Sequence, residues 1–169
     1  MIMTYGSRWG SWLVVLTVLV GTATPVLAQG DAIPSISSSG DPALIKSQLR
    51  RAVQVGGEVI AGLQEQAIDE MVPLDPVVIR KAKETYALIR AGRHGFELHK
   101  EKNEGKKFAL PDPIMDLAFK RVDTAWNLAR YPLDYLNTKG ISRQDYLHNS
   151  TESLGRALKL VNEALVLMP

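Results

Sequence analysis

Apolar and small residues return along this chain at alternating steps of four and three, the interval that places them on one face of an α-helix. The clearest run is Ala118, Val122, Ala125, Ala129, Pro132 and Leu136, within Pro113 to Leu136. A second, Leu147, Ser150, Leu154, Ala157, Val161, Ala164 and Met168, lies within Arg143 to Met168. Earlier in the chain, Ile45, Leu49, Ala52, Gly56, Val59 and Leu63 form a third stripe, widened by Val53, Ile60 and Ala67. Val78, Ala82, Thr85, Ile89, Gly92, Phe96 and His99 form a fourth. No segment alternates with period two for long enough to make a strand, so the chain is expected to be all-α.

The ends of these segments carry start and stop signals. Asp41-Pro42, Asp75-Pro76 and Asp112-Pro113 each pair a capping carboxylate with the proline favoured at the first helical position. The first helix is expected to reach about Glu70, before Pro73, and the second to end in the charged stretch Glu97 to Lys107, at Gly105. Gly140 can stop the third helix and Ser142 can cap the fourth. Pro132 removes a backbone hydrogen bond and crowds the carbonyl four residues back. The third helix therefore either kinks there or stops near Tyr131 and restarts. Four amphipathic helices with short connections predict an up-down-up-down four-helix bundle over residues 41–169.

The first 28 residues do not share this pattern. Arg8 is their one charge, Trp12 to Val20 is an almost unbroken apolar run, and Val26-Leu27-Ala28 places small residues where a signal peptidase reads. The apolar run is short of the roughly 18 residues a membrane span needs. A cleaved signal peptide over 1–28 is expected, with no integral membrane anchor after processing. Residues 29–40, rich in Ser and Gly, are expected to form a flexible leader. Removal of Arg8 with the signal leaves 19 basic against 18 acidic residues, too balanced to argue for nucleic acid. An exported chain with no cysteine has no disulfides and no thiolate metal site. Periplasm or thylakoid lumen, or secretion, is the expected location.

Candidate chemistry is sparse. The sequence has no His-Glu-x-x-His, no Gly-rich phosphate loop after a strand, no Gly-x-Ser-x-Gly turn and no Glu-x-x-His pair of a di-iron bundle, so an enzyme is not expected. His94 falls on the far side of its helix from the stripe, and His148 opens the fourth helix at the opposite end of the bundle from His99. His99, Met115 and Met168 share one end, and a His/Met pair can hold haem iron. The bland alternative is that His99 snorkels and both methionines fill core gaps. Gly56 and Gly92 fall on two stripes and can let those helices approach. Toward the other end, Trp126, Tyr131, Tyr135 and Tyr146 combine apolar area with hydrogen-bonding tips. They suit either a protein interface or a cap over a bundle end splayed by Pro132.

Two resemblances follow from these residues. Arg93-His94-Gly95-Phe96 resembles a phrase in four-helix b-type cytochromes. That family places its iron ligands on the first and last helices, whereas the first helix here has no Met in its first turns and the last no His near its end. In export, length and helix count the chain resembles the extrinsic PsbQ-type subunits that dock on the lumenal face of photosystem II. That likeness is of shape and carries no residue across. The expected function is a non-catalytic exported bundle that binds a protein partner, or stabilises a larger assembly, through Trp126, Tyr131, Tyr135 and Tyr146. The alternative is a periplasmic carrier of haem or a metal near His99, Met115 and Met168.

Overall fold

A computed structural model describes residues 32–66, 74–104, 112–136 and 140–169. The expected signal peptide over 1–28, the first residues of the leader and the connections between the first three helices lie outside the described residues. Four helices make up the fold: α1 (Pro42–Gln66), α2 (Pro76–Glu104), α3 (Pro113–Leu136) and α4 (Arg143–Leu167). Among the described residues there is no strand, and no helix is long and apolar enough to cross a membrane.

Each start signal works as its chemistry dictates. The Oδ1 atoms of Asp41, Asp75 and Asp112 accept from the backbone N–H of Ala43, Val77 and Ile114, at 2.9, 2.8 and 3.0 Å. Each caps the helix that opens with the following proline, satisfying a donor that has no intrahelical partner. Ser142 caps α4, accepting from the N–H of Asp145 at 3.1 Å and donating to its carboxylate at 2.7 Å. Gly140, at φ 88°, takes the left-handed turn ahead of that cap. Pro132 does not stop α3, which runs through it to Leu136, and its ring is fully buried.

Neighbouring helices run antiparallel in a ring. Gly92 of α2 faces Leu49 of α1, while Gly62 of α1 faces Val78 near the start of α2. Arg93 and Phe96 of α2 meet Asp123 and Phe119 of α3. Arg121 of α3 pairs with Glu163 of α4. Arg143 at the start of α4 donates to the Gln66 carbonyl at the end of α1, and Lys46 near the start of α1 donates to the Met168 and Pro169 carbonyls. The four sequence stripes meet in the middle. Ile45, Leu49, Val59, Ile89, Ala118, Val122, Leu154 and Val161 are all at or near zero exposure. Each large side chain so buried contributes roughly 1.5–3 kcal/mol.

The described part of the leader, residues 32–40, runs extended against the bundle. The Gln48 amide of α1 donates to the Ser37 carbonyl at 2.6 Å, and Ile36 packs on the core edge. Gly40 lies so close to α2 that a Cβ there would sit 2.8 Å from the backbone nitrogen of His99. Gly95 of α2 meets the Ser39 carbonyl oxygen in the same way, at 2.9 Å. Only residues without a Cβ permit this approach. Ala87, Ala91 and Gly95, spaced by four, form a second buried track on α2 beyond its core stripe. The leader lies along that side of the helix.

Candidate partner-binding surface

The four aromatic residues singled out from the sequence fall in three environments. Tyr146 is in the core, beside Pro132, Val59, Leu63 and Val78. Burial pushes its phenol above the usual tyrosine range, and the nearby Ser150 side chain opposes that rise in part. Trp126 points to the α2 seam, its ring 6.2 Å from that of Tyr86. Tyr131 and Tyr135 stay together, with ring centroids 6.2 Å apart; Tyr131 is 48 % exposed and Tyr135 half-buried against the core. The structure thus leaves two of the four on an outer surface.

Those two belong to a longer stripe. Ile114, Leu117, Arg121, Thr124, Leu128, Tyr131 and Tyr135 recur at steps of three and four along α3, on the flank toward α4, where Arg121 reaches Glu163. Ile114 is 52 % and Leu117 43 % exposed. Leu117 and Tyr131 stand about 21 Å apart at 1.5 Å per residue. Ile114 and Leu117 near the start of α3 and Tyr131 near its end put large apolar groups in solvent on one helix face, with the polar Arg121 and Thr124 between them, and such a set is more informative than a single exposed leucine. Charges of both signs border it: Asp116, Lys120, Arg130 and Asp134.

On the opposite flank of α3, Phe119, Asp123 and Trp126 make a third stripe that closes on Arg93 of α2. The Arg93 guanidinium donates to Asp123 at 2.6 Å and to Glu97 at 2.8 Å, and lies 4.9 Å from the Trp126 ring centre and 5.7 Å from that of Phe119. The hydrogen bond to Asp123 raises its already high pKa against the opposing effect of burial, with Glu97 adding to the rise. Arg93 is therefore a fixed positive charge that locks α2 to α3. The spacing 119, 123, 126 on α3 is the sequence signal for this seam.

His99 ties the leader down. Its Nδ1 lies 3.0 Å from the Gly40 carbonyl, which can only accept, so Nδ1 carries the proton. Its Nε2 then accepts from the Asn103 amide at 2.9 Å. With both ring nitrogens engaged, His99 presents no lone pair for an iron in this arrangement. Met115 and Met168 are buried members of the core cluster. His94 is exposed beside Glu97, and His148 lies 3.9 Å from Glu152 on the surface of α4.

Comparison with protein-family models, with curated proteins and with solved structures gives no match. The surface must be read on its own chemistry.

Proposed function

We propose that this protein is an exported, non-catalytic helical bundle that acts by docking one protein partner on the outer face of α3. The observation behind this reading is the exposure of Ile114, Leu117 and Tyr131 on one stripe of a helix whose other two flanks are packed. Tyrosine is among the residues enriched at interface hot spots, and apolar neighbours that exclude water around it complete such a patch. The mixed charges at the rim favour a protein over phosphate-bearing partners, which would call for a uniformly basic border. Export rests on the apolar run and cleavage-like motif in residues 1–28.

A photo-crosslinking amino acid placed at Leu117 or Tyr131, in the native host, is expected to trap the same single protein from both positions. Placed at the exposed Gln64 of α1, it is expected to trap none. With that protein purified, Tyr131→Ala should weaken binding at least about 30-fold, the equivalent of a 2 kcal/mol hot spot, with the melting temperature unchanged. Crosslinking only to a second copy of this chain, or equal capture from Gln64, would overturn the assignment.

A further inference from the structure

We draw no further inference here: the strongest candidate, the run from Ile114 to Tyr135 along the outer face of α3 as the seat of a single partner helix, belongs to the surface already described, and nothing in the structure shows what covers it.

Discussion

Helices α2 and α3 share a seam, yet their outer sides are finished in opposite ways. Beyond its core stripe, α2 carries Ala87, Ala91 and Gly95, and the leader comes in close enough that Gly40 and Gly95 leave no room for a Cβ. The outer stripe of α3 carries Ile114, Leu117 and Tyr131, and these stand in solvent. Small residues let nine residues of extended chain cover a helix with backbone contacts and one anchoring side chain, Ile36. Large residues need a larger body over them. The covered side is thus a matter of folding, and the bare side is where an outside partner has something to gain from burial.

The sharpest test of that contrast is a charge on each helix. Ile89→Asp, at a fully buried position of α2, buries a carboxylate with no partner and should unfold the bundle outright, since a net stability of about 5–15 kcal/mol cannot absorb it. Leu117→Asp on the outer stripe of α3 should leave the thermal melt within about 0.5 kcal/mol of the parent. Circular-dichroism melts of the two would have to coincide for the division into packed and bare sides to fail.

Glycine substitutions give the next largest effect, and they should differ in sign. Gly95→Ala drives a methyl to 2.6 Å from Ile45 and 2.9 Å from the Ser39 carbonyl, so it should destabilise by about 1–3 kcal/mol despite the gain in helix propensity. Gly155→Ala on α4 meets nothing within 4 Å and should stabilise by up to about 1 kcal/mol. Chemical denaturation resolves both. Equal gains at the two sites would mean that the leader does not bear on α2.

Alkaline titration sharpens the distinction between the tyrosines, with a smaller effect. Burial raises the Tyr146 pKa in the folded state, so the neutral phenol is the form the fold accommodates. Its contribution is complete below the unfolded-state value near 10 and is lost as pH rises through the higher folded value. Stability should fall above about pH 10, and Tyr146→Phe should flatten that fall. An identical fall in the Phe variant would assign the alkaline loss to other groups. The smallest effect belongs to the surface pair Arg51–Glu84, at 2.7 Å with a largely exposed arginine. Arg51→Ala should change stability by no more than about 1 kcal/mol, less in high salt, as read by denaturation at two ionic strengths.

Much of this fold was legible from periodicity and caps alone. The stripes read from Ile45, Ile89, Val122 and Leu154 are the buried ones, and three Asp-Pro starts with Ser142 mark where the helices begin, because a cap and a heptad-like stripe are local properties of a few consecutive residues. Pro132 left two readings open, and packing decided between them: its ring is buried in the core and α3 continues past it. The leader was less legible. Ser and Gly content marks residues 29–40 as a leader but gives no place for it; the seat of 32–40 on α2 exists only once Gly40, Gly95 and His99 are brought together from distant places in the chain. The aromatic set shows the same limit. Trp126, Tyr131, Tyr135 and Tyr146 look alike in sequence, and it is the direction each takes from its helix toward α2, the core or solvent that separates them. A stripe says that a face is apolar; which neighbour covers it, or whether any does, depends on contacts between residues far apart in sequence, and so belongs to the tertiary structure.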